Sequence, residues 1–214
     1  MRYNWVMTQT DPLQMVQAVR ESSARVVTSL EALDESQWRL PSLLPGWSVS
    51  HVAAHLALNA EALAGAVEAL LSDEARTMYA SDAQRDDDIS GLSAASPEEI
   101  LKRLADGCRR LDPLLVETQT NRAPLGLGRI ERTPGSGRWI STADVAGMRW
   151  HELEIHHCDL GPAVTAYSPA DWQTEFIEQL LSGAPDVGDV AGKPWEAAWS
   201  ATGRPPYPGG AASV

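Results

Sequence analysis

The chain has 214 residues, 43% of them hydrophobic, and a formal net charge of −12 at pH 7. That length fits one domain of ordinary size with a short appendage, and the hydrophobic fraction permits a sizeable core. The acidic balance argues against nucleic acid or an anionic membrane as the main partner, because binding either draws on clustered Lys and Arg.

Along the chain, Met1 to Pro12 is polar and lacks an apolar signal-peptide core. No run approaches the roughly 18 uninterrupted apolar residues of a membrane span, so a cytoplasmic location is expected. Leu13, Val16, Val19, Val26 or Val27, Leu30 and Leu33 recur at helical spacing and predict a helix from Asp11 to Leu33, with Asp11 and Pro12 as cap and first turn. Pro41 and Pro45-Gly46 separate it from a second helix, capped by Ser48 or Ser50 and running to Leu71. The stripe of that helix is Val49, Val52, Leu56, Ala60, Leu63, Val67 and Leu70. His55 lies at its edge, His51 further out, and Asn59 inside it, so His55 is the inward-facing candidate and Asn59 the polar neighbour that would orient it.

Residues 72–95, with Asp86-Asp87-Asp88, carry little apolar periodicity and predict a long, acidic, mobile connection. Ser96-Pro97-Glu98-Glu99 opens a third helix to about Thr118, a hydroxyl cap followed by proline and two acids that suit the helix dipole; Pro113 is a candidate kink. Asn121 to Ile140, rich in Gly, Pro and Arg, predicts a loop with room for a short strand pair. Ser141-Thr142-Ala143-Asp144 resembles a capping box before the fourth helix.

That fourth helix, through Met148-Arg149-Trp150-His151-Glu152-Leu153-Glu154-Ile155-His156-His157-Cys158-Asp159-Leu160, carries the candidate chemistry. Residues four apart sit about 40° apart on the helical wheel, so Glu152 and His156 share a face. Val145, Met148 and Ile155 flank that direction, which predicts that Glu152 and His156 point into the apolar side while Trp150, Glu154 and His157 point away. Ionisable groups on a core-facing stripe need a partner or a metal. His55 on the second helix, with Glu152 and His156, would make a set of two histidines and one carboxylate, which leaves a coordination position open and suits zinc, iron or another divalent ion. The alternative is a buried Glu–His pair, with His55 a satisfied core histidine. His151 and His156 are five apart, about 140° around the helix, and cannot bind one metal as His-Glu-x-x-His does.

Asp159, an acid at a helix C-terminus, opposes the dipole; a hydrogen bond to a ligand histidine or a salt bridge to an arginine would account for it. Arg149, one turn before Glu152, is a candidate to hold an anionic substrate or to pair with Glu152 or Asp159. Trp47 and Trp139 are candidates for a pocket mouth. Beyond Leu160-Gly161-Pro162, Ser168-Pro169-Ala170-Asp171 caps a short fifth helix from Asp171 to Leu181, and residues 183–214 read as a Gly/Pro-rich tail anchored by Trp195 and Trp199 and frayed from Pro205 onward. Cys108 and Cys158 have no Cys-x-x-Cys partner and read as reduced thiols. The expected architecture is all-α: a four-helix bundle with a long crossover over residues 1–165, then a short C-terminal extension over residues 166–214.

Two stretches, Leu44-Pro45-Gly46-Trp47-Ser48-Val49-Ser50-His51-Val52-Ala53-Ala54-His55-Leu56 and Met148-Arg149 through Glu152, Glu154 and His156-His157 to Asp159-Leu160, resemble the mycothiol-dependent maleylpyruvate isomerase family. This family lies within the DinB-like superfamily of metal-binding four-helix bundles, and the resemblance runs from about residue 10 to about residue 182. It implies zinc or another divalent metal held by His55, Glu152 and His156. It further implies mycothiol as cosubstrate, a small electrophile as substrate, and cis–trans isomerisation or S-transfer as the reaction, in a monomer or homodimer. Family members carry a further α/β domain; the stretch from Gly192 to Pro205 resembles its end, which makes Arg204 a candidate anchor for a substrate carboxylate. A metal-dependent hydrolase and a non-catalytic metal-binding bundle are the rival readings.

Overall fold

The computed structural model describes residues 12–72, 74, 77–120, 128–182 and 193–208. Among these, seven α-helices and one small hairpin occur: α1 (Pro12–Glu31), α2 (Val49–Leu71), α3 (Asp82–Ser93), α4 (Pro97–Thr120), β1 (Arg129–Glu131), β2 (Trp139–Ser141), α5 (Val145–Asp159), α6 (Thr174–Ser182) and α7 (Pro194–Ala201). The fold is all-α, a DinB-like four-helix bundle. Its four helices are α1, α2, α4 and α5, packed so that α4 lies between α1 and α2, and α5 closes the ring on the other side.

Helix α2 is the central element. Its small residues Ala53, Ala57, Ala60 and Ala64 are fully buried, and Gly107 of α4 packs so closely that a Cβ there would sit 3.1 Å from Ala60 Cβ. Close approach of backbones maximises dispersion contact along the α2–α4 seam. By length and composition α2 could cross a membrane, but most of its surface is buried against its neighbours. Ser48 caps it, with the His51 imidazole at the third helical position accepting from the Ser48 backbone N–H at 3.3 Å.

Several expectations are corrected. In α1 the buried stripe is Met15, Val16, Val19, Val26 and Leu30, whereas Leu13 is exposed; Asp11 lies outside the described residues. Pro113, the candidate kink, does lie inside α4, which reaches Thr120. The acidic stretch read as a mobile connection contains α3, whose Ile89 and Leu92 are buried and which packs on α2. Two apolar residues three apart are enough to seat a short helix when its other faces meet solvent, a pattern too sparse for a periodicity test.

The hairpin pairs β1 with β2 in antiparallel register, Ile130 opposite Ile140. The chain before α3 adds to it, the Met78 and Tyr79 backbone N–H groups donating to Glu131 and Arg132 at 3.0 and 2.9 Å. Arg138 then holds Asp82, the first residue of α3, at 2.9 Å. Hairpin and α3 are thus one tethered unit.

Before α5, Ser141 does not form a reciprocal box: its hydroxyl donates to the Asp144 carboxylate at 2.6 Å, across a 3₁₀ turn at Thr142–Asp144. The capping box after Ser168 does form, with Asp171, but it closes a 3₁₀ turn, and α6 starts only at Thr174. The region read as a tail contains α7, whose Trp199 is buried. Beyond it the chain stays attached: the Pro205 carbonyl accepts from Trp199 Nε1 at 2.7 Å and the Tyr207 hydroxyl donates to the Tyr167 carbonyl at 3.2 Å.

Candidate functional site

Helix α5 is buried on nearly every side, which reverses part of the wheel reading. Trp150, Glu154 and His157, expected to point outward, are 2%, 3% and 2% exposed. Glu154 accepts hydrogen bonds from Ser22 and Arg25 of α1 and from the Tyr167 hydroxyl. His157 stacks on the Tyr167 ring at 4.2 Å and hydrogen-bonds Ser29 at 2.9 Å. The wheel had found one apolar direction, but α5 is covered by α1 on one side, α2 on another and the segment after Leu160 on a third. A polar residue on such a helix is buried wherever it points, and needs partners.

The predicted face of α5 is the one that opens slightly. The Glu152 side chain is 27% exposed and His156 15%, while His55 of α2 opposite them is 4%. His55 Nε2 lies 2.8 Å from Glu152 Oε2, and His156 Nε2 lies 3.3 Å from the same oxygen. The two imidazoles meet edge to face at 4.6 Å. One ligand atom from each of His55, Glu152 and His156 falls within 4.8 Å of the others, so the structure brings together the three residues singled out in the sequence. Trp47, a candidate for a pocket mouth, packs its ring against His55 at 5.6 Å; Trp139, the other candidate, stands exposed on β2.

Each imidazole is oriented through its other nitrogen. His156 Nδ1 donates to Asp159 Oδ2 at 2.8 Å, and the fully buried Asp159 also takes a two-pronged contact from Arg204 at 2.7 and 2.5 Å. Asp159 thus has both an imidazole and an arginine as partners. Arg204, expected as an anchor for substrate, spends its guanidinium on Asp159. The Asp159 carbonyl accepts from the Leu43 N–H at 2.8 Å, and Gly161, at φ +84°, supplies the left-handed residue that lets the chain turn away after α5.

His55 is oriented by a residue the sequence reading passed over. Its Nδ1 faces Arg85 Nη2 of α3 at 3.2 Å. Arginine has only donors, so Nδ1 is the acceptor and the ring proton sits on Nε2, toward Glu152. Arg85 lies over the Tyr79 ring at 5.8 Å, which brings that tyrosine beside the cluster. Asn59, predicted to orient His55, instead accepts from Arg149 Nη1 at 2.8 Å. Arg149 is fully buried, donates also to the Leu56 carbonyl at 2.9 Å, and pairs with neither Glu152 nor Asp159. It reaches across the bundle, away from the role given to it.

Charge in the cluster is arranged for a cation. Burial pushes the Glu152 carboxyl up, but bonds to His156 and His55 outweigh it and hold the group well below the usual carboxylate range. Burial lowers His156, yet Asp159 and Glu152 raise it further than burial depresses it. Burial carries His55 down to about 4, opposed by Glu152. The two carboxylates flanking His156 thus favour the charged form of its ring. Two imidazole nitrogens and a carboxylate oxygen on facing helices, one imidazole backed by a buried acid, are a donor set that fits zinc or another divalent ion of similar softness.

A four-helix bundle with two histidines and a carboxylate converging from facing helices belongs to the class that can build ligand and metal sites in the bundle interior. A family model for the mycothiol maleylpyruvate isomerase N-terminal domain matches residues 19–161, and the chain belongs to that family. Among solved structures it is similar to a crystal structure of the mycothiol-dependent maleylpyruvate isomerase and to one of a histidine-to-alanine mutant, each at 25% identity and TM-score 0.71. Each alignment covers 81% of this chain and 70% of the other. No curated protein matches the sequence significantly.

Proposed function

We propose that this chain is a metal- and thiol-dependent enzyme, an isomerase or S-transferase acting on a small electrophile with mycothiol as cosubstrate. The observation that carries the reading is the convergence of His55, Glu152 and His156 on one point, with the far nitrogen of His156 held by buried Asp159. Family membership and the likeness to an enzyme named for mycothiol and maleylpyruvate support the thiol and the reaction type. Residues 1–165 would carry the centre; residues 166–214 would close it through Arg204.

A divalent ion held by His55, Glu152 and His156, zinc first, would stabilise an incoming thiol as its thiolate. Glu152 supplies the negative charge, Asp159 keeps the His156 Nδ1 proton in place so that Nε2 offers its lone pair, and Trp47 walls off the His55 side from water. The thiol sulfur adds to an electron-poor double bond, the former double bond rotates, and elimination returns the thiol with the geometry changed; stopping after addition, with a proton taken up at the neighbouring carbon, leaves an S-conjugate.

The test is elemental analysis of the purified protein beside the His156→Ala and His157→Ala variants, followed by turnover assays with and without added mycothiol. We expect near one equivalent of metal in the parent and in His157→Ala, little in His156→Ala, and turnover only with thiol. Hydrolysis without thiol would replace this reading by a metal-dependent hydrolase, and bound metal with no turnover of an electrophile panel would leave a binding bundle. Absence of metal after reconstitution would leave only a buried Glu–His pair.

A further inference from the structure

Arg149 presents a second problem of charge. Its guanidinium is fully buried, and arginine stays protonated in proteins. Its hydrogen bonds go to the Leu56 carbonyl, to Asn59 Oδ1 and to Cys108 Sγ at 3.5 Å, none of them a carboxylate. Its Nε is buried without a partner. No carboxylate among the described residues pairs with it, although a buried cation is costly unless compensated by an anion.

Arg149 is among the residues that line a cavity of about 310 Å³ between α1 and α4, together with Cys108, Ser23 and Asp112 and the apolar side chains of Val19, Leu111 and Leu115. Two other arginines line this cavity, and both are already neutralised. Arg20 is paired with Asp112 and Arg109 with Asp106, at the surface. The only lining cation without an anion among the described residues is thus the buried one, and Val19, Leu111 and Leu115 give the cavity an apolar wall. None of the lining residues belongs to the His55–Glu152–His156 cluster.

We propose that this cavity is a second binding site, for a small aliphatic carboxylate whose anionic end pairs with Arg149 and whose carbon chain lies on Val19, Leu111 and Leu115. An aliphatic acid meets both requirements: the carboxylate supplies the missing charge, and the chain displaces water from an apolar wall. The site lies on the α1–α4 side of the bundle and requires no metal.

Butyrate is the probe, titrated against the full-length protein at constant ionic strength while thermal stability is followed, with inorganic phosphate in parallel. We expect saturable stabilisation by butyrate, weakened about tenfold or more in Arg149→Met and unchanged in His156→Ala, so that failure of the metal centre and failure of this site are distinguishable. Because Arg149→Met risks misfolding, alkylation of Cys108 in the parent protein gives a second measurement; Cys158 is buried and serves as the internal control. Iodoacetate should label Cys108 faster, relative to neutral iodoacetamide, than it labels free cysteine, and butyrate should slow that labelling saturably. A reagent preference equal to that of free cysteine with no protection by butyrate, or stabilisation that persists undiminished in folded Arg149→Met, would overturn the site. Tighter binding of phosphate than of butyrate would overturn the choice of an aliphatic acid.

Discussion

At the scale of single residues, the groups facing each imidazole's outer nitrogen decide how readily it accepts a metal. Asp159 favours binding at His156, because an acceptor on Nδ1 leaves the Nε2 lone pair free. Arg85 opposes it at His55: its donor keeps the proton on Nε2, the nitrogen a metal would need, and adds a positive charge close by. Replacing Arg85 by Met should therefore raise metal affinity by about tenfold, the worth of one charge-assisted hydrogen bond. Competition titration with a chromogenic chelator measures this, and an unchanged or weaker affinity would mean that Arg85 turns away at no cost. His157 gives a prediction of a different kind. Burial and the nearby Arg25 carry its pKa down to about 3, so it stays neutral in the folded chain while the unfolded chain takes up a proton below about pH 6.5. The unfolded state then binds more protons, and stability falls as pH falls. Between about pH 7 and about pH 5 this group alone should remove about 2 kcal/mol. His157→Phe keeps a ring against Tyr167 but has no proton site; denaturant titrations at the two pH values should show that much of the acid loss gone. The three converging residues were legible in the sequence because Glu152 and His156 are one turn apart and His55 lies at the edge of a stripe. Arg85 was not, since its link to His55 spans thirty positions and it sits beside a run of aspartates that reads as solvent-facing.

Among the elements, long periodic helices were readable and short ones were not. The α2 and α4 boundaries fell within a few residues of expectation because a full apolar stripe and a hydroxyl cap agree there. Helices α3 and α7 went unseen: α3 buries just Ile89 and Leu92, and α7 buries Ala197, Ala198 and Trp199. For α5 the period was right and the inference of a polar outer face was wrong, because helical spacing says which residues share a side but not how many sides are covered. The missed α3 matters most, since it carries Arg85 to His55. Ile89, 2% exposed, is one of its two buried apolar side chains. Ile89→Ala should cost about 2–4 kcal/mol if α3 unfolds together with the bundle, less if it opens separately. Hydrogen exchange over Asp82–Ser93 distinguishes the two. In either case the loosened helix should release Arg85, so the variant's metal affinity should move in the direction of Arg85→Met; protection unchanged across α3 would show that the hairpin tether through Asp82 holds it instead.

For the whole molecule, the segment after α6 is joined to the candidate centre by a short chain of charges. Trp199 packs on Trp172 at 5.9 Å and, with the Arg204 guanidinium over its ring at 5.5 Å, positions that arginine on Asp159. Asp159 is fully buried with two donating partners, His156 and Arg204, and its carboxyl is held down by them against the effect of burial. Removing the guanidinium leaves a buried carboxylate dependent on His156 alone. Arg204→Gln should therefore destabilise the fold and also weaken metal binding, by roughly 10- to 100-fold, the usual effect of disturbing the group behind a ligand histidine. Loss of packing alone would lower the melting temperature without changing affinity at a temperature where the chain is folded. The decisive comparison repeats Arg204→Gln in an Asp159→Asn background, where no carboxylate remains to be stabilised. Coupling through Asp159 requires the arginine to matter far less there, with an interaction energy of about 1–3 kcal/mol across the cycle. Additive effects would mean that the C-terminal segment supports the bundle without communicating with its centre.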